Sequence, residues 1–327
     1  MNENRIPNGR WCRLALWIGV GVFVVVALGS CTPTVDDTPD DGTALEPAPD
    51  APSELTPSDD ESGQIAFASD RDGDFDLYLL DADTGEVTWL AGGPTLDGFP
   101  AWSPDGGQIA FVSDRDGDAN LYLLALDTGE ETQLTDDPAG DWSPAWSPDG
   151  GQVAFVSDRD GDWDIYLLEL ASGELTQLID NPAWDAWPRW SPDGGQIAFE
   201  SDRDEGHLDI YLLDMDSGDV TRLVSGAGAN GSPAWSPDGT QLAYVTQWES
   251  ESDADILILT LETGELMRLI NDPGLYRLPA WSPDGNRIVF ALEHEGNYDI
   301  YMVALDAGEM TRLTDDPAWD RSPAWSP

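Results

Sequence analysis

The residues best suited to chemistry are aspartates that recur at alternate positions of a short loop. The sequence Asp70-Arg-Asp72-Gly-Asp-Phe-Asp76 returns at Asp158 to Asp164 and, with Asn120 in the last position, at Asp114. Hard oxygen ligands at alternate positions around a glycine turn are what Ca²⁺ requires. The pattern therefore predicts calcium binding, with these candidate ligands: Asp70, Asp72, Asp76, Asp114, Asp116, Asp158, Asp160 and Asp164.

The same loops have a second interpretation that needs no metal. The Asp-Gly pair is typical of a tight turn, and an arginine lies beside the carboxylates in four copies, at Arg71, Arg115, Arg159 and Arg203. These arginines can neutralise their acidic neighbours. Two later copies, at 249–255 and 293–299, lose the motif. Both interpretations stay open on the sequence alone.

Aromatic residues near the acidic loops form a second candidate site. Rings beside carboxylates can bind cations by charge and cation–π attraction, or sugars by hydrogen bonding and stacking. The alternative is that the rings fill the core. The candidate ligand-binding residues are Phe99, Trp142, Trp184, Trp187, Tyr276 and Trp319.

Residues for catalysis are sparse. The chain has two histidines, His207 and His294, no lysine, and two cysteines, Cys12 and Cys31, both near the N-terminus. It contains no nucleophile-elbow sequence and no histidine-based metal motif. An aspartate pair in a central channel is the one acid–base arrangement left open. We therefore expect a protein that is not an enzyme and has no cofactor, calcium excepted.

The charge of the chain limits its partners. There are 64 acidic residues against 14 basic ones, all arginine, so the formal net charge is -50. Such a surface repels nucleic acid and suits cations, cationic protein patches or solubility in concentrated salt.

The elements that must position these residues form an internal repeat. A tryptophan in the sequence Trp-Ser-Pro recurs at positions 102, 146, 190, 235, 281 and 325. The spacing between successive tryptophans is 44 to 46 residues. A period of this length is typical of four-stranded propeller blades. Four β-rich segments recur in each unit, and turn sequences such as Asp105-Gly106 and Thr84-Gly85 separate them.

The order of the segments predicts how the repeat closes. The repeats begin at the second segment, at Gln64, and stop at the first, at Trp325, and each segment occurs six times. We expect an all-β fold over residues 63–327. It is a monomeric six-bladed β-propeller of four-stranded antiparallel blades, closed by pairing of the C-terminal strand with the N-terminal blade.

The N-terminus has the layout of a signal peptide. Arg5, Arg10 and Arg13 precede an uncharged apolar segment at 14–28, which is followed by Gly29-Ser30-Cys31. The sequence Leu-Gly-Ser-Cys resembles the lipobox of bacterial lipoproteins. The resemblance implies removal of residues 1–30 and attachment of lipid to Cys31. An ordinary signal peptide or an uncleaved anchor is the alternative.

Residues 31–62 are rich in proline and acidic side chains and predict a disordered tether. From the signal peptide and the lipobox we expect an exported protein that its lipid anchors to a membrane of the cell envelope, in the outer membrane, the periplasm or on the cell surface.

The repeat itself carries a family resemblance. The pattern AWSPDGxxIAFxSDRDGxxDIYLxxxxTGExxxLT resembles the repeat of TolB-type propellers over nearly all of residues 63 to 327. The resemblance implies six blades and binding of an envelope protein. We expect a non-enzymatic envelope or cell-surface lipoprotein that acts as a protein-interaction scaffold. The alternative function is a calcium- or glycan-binding surface module.

Overall fold

The structure is a computed structural model that describes residues 63–204, 207–226, 228–247, 254–270, 274–294 and 296–327. The predicted signal peptide, the lipid attachment residue Cys31 and the predicted tether lie outside the described residues. The described residues form 24 strands in six four-stranded antiparallel sheets. In these ranges no helix is long and apolar enough to span a membrane.

Each sheet is one blade, and its four strands run outward from the centre of the ring. The innermost strands are β4 (Asp97–Trp102), β8 (Asp141–Trp146), β12 (Asp185–Trp190), β16 (Ala229–Trp235), β20 (Leu275–Trp281) and β24 (Asp320–Trp325). The second strands are β1 (Gln64–Ser69), β5 (Gln108–Ser113), β9 (Gln152–Ser157), β13 (Gln196–Ser201), β17 (Gln241–Gln247) and β21 (Arg287–His294). The third strands are β2 (Asp76–Asp81), β6 (Asn120–Ala125), β10 (Asp164–Glu169), β14 (Asp209–Asp214), β18 (Ala254–Thr260) and β22 (Asn297–Ala304). The outer strands are β3 (Val87–Ala91), β7 (Glu130–Gln133), β11 (Glu174–Gln177), β15 (Val220–Val224), β19 (Glu265–Arg268) and β23 (Met310–Arg312).

The ring closes through strands from both ends of the described chain. Blade 1 has the order β24-β1-β2-β3, and blades 2 to 6 each use four consecutive strands. Strand β24 pairs antiparallel with β1, with Ile65 opposite Trp325 and Ala66 opposite Ala324. Each innermost strand also contacts those of the two neighbouring blades. The predicted six-bladed propeller and its closure are confirmed.

The hydrophobic core lies between the blades. In strand β5, Ile109, Ala110, Phe111 and Val112 are all fully buried, because neighbouring blades cover both faces of the sheet. The Trp-Ser-Pro tryptophans also link neighbouring blades. Trp146 Nε1 donates to the carbonyl oxygen of Ala101 in the preceding blade at 3.0 Å. Three more such bonds join Trp102 to Ala324, Trp235 to Arg189 and Trp281 to Ala234.

The hairpins between the first and second strands follow from the Ser-Pro-Asp-Gly sequence. Gly106 has a φ of 73°, in the left-handed region that such a turn needs. The Asp105 carboxylate accepts hydrogen bonds from the Ser103 hydroxyl at 2.7 Å and from the Gly107 backbone at 3.1 Å. These hairpins lie at one end of the central channel. The opposite end, which we call the loop face, carries the connections between blades and the acidic loops between second and third strands.

Candidate functional site

The arginine of the recurring acidic loop is a structural residue. Arg115 lies over the rings of Phe111 and Tyr122, with its guanidinium carbon 5.6 Å and 4.7 Å from their centroids. Its Nε donates to the Ser113 hydroxyl at 2.8 Å, and its Nη2 pairs with the buried carboxylate of Asp97 at 2.8 Å. The corresponding pairs in blades 1, 3 and 4 are Arg71–Asp320, Arg159–Asp141 and Arg203–Asp185. Each of these arginines thus neutralises a carboxylate, as the metal-free interpretation expects, but the carboxylate belongs to the innermost strand and not to the arginine's own loop.

The first two aspartates of the loop are also engaged within their own blade. Asp114 accepts a hydrogen bond from the backbone of Leu96 at 2.8 Å, and Asp116 accepts the phenolic proton of Tyr122. In the other copies Asp70 accepts from the Trp319 backbone, Asp158 from the Gly140 backbone and Asp72 from Tyr78. These carboxylates are directed at different partners. Among the described residues, no group of three carboxylates converges in the loops of blades 1 and 2.

Among the residues that the structure describes, predicted calcium ligands come together with a third carboxylate in blade 3. Asp160 and Asp164 lie with Asp180, from the connection to blade 4, so that one oxygen of each is within 4.8 Å of the others. Asp164 is fully buried, which raises its pKa to about 6; the charges of Asp160 and Asp162 act in the same direction, and the Asn181 backbone opposes them. Asp180 was not among the predicted ligands, because it belongs to a different loop of the sequence.

Four of the six predicted aromatic residues form one cluster at the channel. The ring of Phe99 is 5.6 Å from that of Trp142, edge to face, and 5.7 Å from that of Trp187. Trp184 packs against the same group. Trp187 is buried, so the cluster supplies core between blades 2, 3 and 4 as well as channel wall.

The other two predicted aromatic residues are separate from this cluster. Tyr276 is buried against Phe290, with ring centroids 5.6 Å apart, and is not accessible to a ligand. Trp319 is 40% exposed on the loop face. Its ring lies 4.1 Å from the Arg321 guanidinium and meets Tyr298 edge to face. Of the six, Trp319 presents the most exposed ring.

A β-bulge in every innermost strand shapes the channel. The residue before the proline has a positive φ of 51° to 56° in each blade, a conformation that non-glycine residues rarely adopt. The six residues alternate in size: Phe99, Ser143, Trp187, Ser232, Leu278 and Ser322. Trp187 reaches past the intervening serines to contact both Phe99 and Leu278. We call these three large residues the plug.

A cavity of about 320 Å³ adjoins the plug and extends toward the hairpin end of the channel. Residues from the innermost strands of all six blades line it, and most are the alanine, tryptophan and proline of the repeat. Arg189 is the one charged side chain in this lining. Burial lowers the pKa of Arg189 to about 10, with the charge of Glu200 acting in the opposite direction.

Glu200 is a buried acid beside the innermost strands and is not among the residues predicted from the sequence. Its Oε2 accepts a hydrogen bond from the Ser232 backbone at 2.7 Å, and its Oε1 has no partner among the described residues. Burial raises the pKa of Glu200 to about 8, although the Ser232 N–H, Arg277 and Arg189 lower it. The sequence does contain a signal for Glu200, because the same position of the repeat holds alanine or valine in the other five blades. These residues are Ala68, Val112, Val156, Val245 and Ala291.

The residues just before the six positive-φ positions of the bulges differ from blade to blade. They are Gly98, Trp142, Ala186, Gly231, Arg277 and Arg321. Arg277 and Arg321 are neighbours on blades 6 and 1, and the ring order places them opposite Trp142 and Ala186 of blades 3 and 4. The loop-face end of the innermost strands, which we call the mouth of the channel, thus carries two arginines on one side of the ring and two apolar residues on the other. The two histidines, by contrast, are exposed in separate blades.

Comparisons with known proteins agree with this architecture. The family model of the TolB beta propeller domain matches residues 54–137, 117–247 and 229–327. TolB from Acinetobacter baumannii is 28% identical, with a TM-score of 0.75 over 82% of this chain and 67% of that chain. No curated protein gives a significant sequence match.

Other solved structures share the fold at lower identity. The putative TolB from Agrobacterium tumefaciens is 24% identical, with a TM-score of 0.65 over 80% of this chain and 92% of that one. An oligogalacturonate lyase from Vibrio parahaemolyticus is 20% identical, with a TM-score of 0.55 over 77% and 74% of the two chains. The fold therefore occurs in an enzyme as well. The family match spans most of the sequence, and the chain belongs to the TolB β-propeller family.

Proposed function

We propose that this chain is an exported lipoprotein of the cell envelope, anchored through Cys31, whose propeller binds a protein partner at the loop-face mouth of its channel. It catalyses no reaction. The interaction is the role that the family resemblance implies, and the channel mouth is the part of the propeller that favours it.

One observation carries this proposal: the repeat that builds the innermost strands is broken at one position, just before the bulge, where the residue changes around the ring. The framework residues recur in every blade, whereas the residues before the bulge change from glycine to tryptophan to arginine around the ring. A lining with sixfold symmetry would offer a partner six equivalent orientations. A cationic side at Arg277 and an apolar side at Trp142 would favour a single orientation of the partner.

The mouth also has the chemistry of an interface. Arginine and aromatic residues dominate binding energy at protein–protein contacts. Trp319 presents an exposed ring beside Arg321, and Arg277 has no carboxylate within 4.0 Å among the described residues with which it could form an ion pair. A partner that offers an acidic group next to an apolar one would satisfy both sides.

Site-specific photo-crosslinking in intact cells tests the proposal on the full-length chain. A photoreactive phenylalanine derivative replaces Trp319 at the mouth or, as a control, Leu266 on outer strand β19, which is 56% exposed. We expect one discrete protein adduct from position 319 and none from position 266. Absence of an adduct at 319, or the same adducts from both positions, would rule out the mouth as the binding surface.

A further inference from the structure

One repeat position at or near the start of each third strand, occupied in chain order by Asp76, Asn120, Asp164, Asp209, Asp255 and Asp299, needs a partner at the outer edge of the blade. In blades 4, 5 and 6 this residue is a buried aspartate, and an arginine of the outer strand neutralises it, in the pairs Arg222–Asp209, Arg268–Asp255 and Arg312–Asp299. In blade 2 the residue is the uncharged Asn120, which Thr135 contacts. In blade 1, Asp76 accepts hydrogen bonds from Trp89 Nε1 and the Gly93 backbone.

Blade 3 has the buried aspartate without the arginine. Asp164 is fully buried, and the outer strand presents Gln177, whose Nε2 donates to Asp164 Oδ2 at 3.0 Å and also to Asp160. Asp164 Oδ1 has no hydrogen-bond partner of normal length and angle in the part of the chain that the structure describes, although the backbone N–H of Asn181 also stabilises the ionised carboxylate. A neutral amide thus stands where blades 4, 5 and 6 place a positive charge.

Two more carboxylates face this position and increase the negative charge. Asp160 and Asp180 each place an oxygen within 4.8 Å of the Asp164 carboxylate and of each other. No described arginine lies within ion-pair distance of the three: Arg159, the nearest in sequence, pairs with Asp137 at 3.0 Å and Asp141 at 2.9 Å. Carboxylates this close repel one another, and a buried one without a counter-charge is costly.

The donor set suits a hard cation. Three carboxylates supply oxygen atoms, and rotation of the Gln177 amide by half a turn exchanges its nitrogen for its oxygen, which adds a carbonyl ligand. Ca²⁺ takes six to eight oxygen ligands in flexible geometry and completes its shell with water. Asp160 and Asp180 are exposed, so the position is open to an ion from solution.

We propose that Asp160, Asp164 and Asp180 bind one Ca²⁺ ion at the loop end of blade 3. The ion occupies the place that the arginine guanidinium has in blades 4, 5 and 6. It fixes the connection that carries Asp180 to the loop that carries Asp160.

Calorimetric titration of the full-length protein with Ca²⁺ tests this proposal. Because the chain is strongly acidic, the titration is done in about 0.15 M NaCl, which screens diffuse attraction between exposed charges. Two variants remove the site: Asp180→Asn deletes a ligand, and Gln177→Arg supplies the internal cation found in three other blades. The matched control is Asp136→Asn, since Asp136 is the counterpart of Asp180 in blade 2, where Asn120 replaces the buried aspartate.

We expect one saturable site in the wild-type protein and in Asp136→Asn. Asp180→Asn should weaken it by roughly 10-fold or more, since loss of even an indirect partner of a metal ligand has that effect. Gln177→Arg should abolish it while the protein stays folded, because the same arginine–aspartate pair is native to blades 4 to 6. Absence of a saturable site, equal losses in Asp136→Asn and Asp180→Asn, or unchanged binding in Gln177→Arg would overturn the assignment.

Discussion

At the scale of single residues, Glu200 is the side chain whose ionisation the fold opposes most directly. It is fully buried between blades 4 and 5, and a Cβ atom on the neighbouring Gly231 would lie 2.0 Å from its Oε2. The glycine is therefore part of the site, since any larger residue would displace the carboxyl group. Arg189 and Arg277 attract the ionised form, but burial outweighs them and raises the pKa to about 8.

This shift predicts a pH dependence of stability that a Glu200→Gln variant should lack. The folded protein keeps a proton that the unfolded chain, with a pKa near 4.5, releases. The contribution to the unfolding free energy is therefore fully present below about pH 4.5, falls as the pH rises toward about 8, and is level above that. The limiting slope is about 1.4 kcal/mol per pH unit.

Denaturant unfolding of both proteins between pH 4 and pH 9 measures this contribution, because the difference between them cancels the other titrating groups. Wild type should be similar to Glu200→Gln at the acid end and less stable at the alkaline end. A difference that stays constant with pH would mean that Glu200 is ionised throughout.

At the scale of elements, the recurring loop fastens three strands of its blade together. Arg159 lies over Phe155 of the second strand and Tyr166 of the third, and its Nη2 contacts both carboxylate oxygens of Asp141 in the first, at 2.9 Å and 3.1 Å. In blade 5 both members of this arginine–aspartate pair are absent together. Asn230 stands at the position of Asp141, and the loop has no arginine.

The asparagine of blade 5 predicts that, in blade 3, replacing Asp141 offsets the loss of stability caused by replacing Arg159. Arg159→Met keeps an unbranched stem over the rings but leaves the buried Asp141 charge without its partner, which should cost about 3–5 kcal/mol of unfolding free energy. Adding Asp141→Asn should recover most of that loss. Urea unfolding of the two variants and wild type provides the comparison, and a double variant no more stable than Arg159→Met would show that the ion pair is not the reason for the loss.

The strands were predictable because the second and third segments are short and apolar, because glycine turns separate segments, and because the repeat gave six copies of each, which also placed the polar outer strands such as Glu130–Gln133. The acidic loops were predictable only as two alternatives, since calcium binding and neutralisation by arginine both fit the same loop sequence, and the aspartate with which each arginine pairs lies on another strand. Asp180 and Glu200 were missed for a common reason. Their partners, Asp164 and Ser232, are brought to them by packing between separate loops or blades, and no local pattern encodes that contact.

At the scale of the whole molecule, one hydrogen-bond pattern recurs at all six junctions between first and second strands, of which five are hairpins. In the five hairpins between first and second strands, the serine N–H donates to the carbonyl oxygen of the first residue of the next strand, as from Ser103 to Gln108 at 2.8 Å. Ser326 donates to Gln64 in the same way at 2.9 Å, with no connecting turn. The sixth junction therefore has hairpin geometry, although its two strands come from distant parts of the sequence.

This geometry predicts that the propeller can be closed covalently with two residues. Inserting Asp-Gly between Pro327 and Gly63 recreates the Ser-Pro-Asp-Gly-Gly-Gln sequence of blade 2, and new ends can be opened between Ser172 and Gly173 in an exposed hairpin of blade 3. Every strand pair is kept, so this permutant should unfold cooperatively at a temperature close to that of residues 63–327 in their natural order.

The matched comparison is a chain that ends at Trp319 and lacks strand β24. It leaves the β1 edge unpaired and removes the innermost strand of blade 1, so it should lose cooperative unfolding and aggregate through the exposed edge. Thermal unfolding followed by near-ultraviolet circular dichroism, which reports the packing of the interblade tryptophans, distinguishes the three chains. If the permutant melted as poorly as the truncated chain, continuity of the backbone from residue 63 to residue 327, rather than closure of the ring, would be what holds the propeller together.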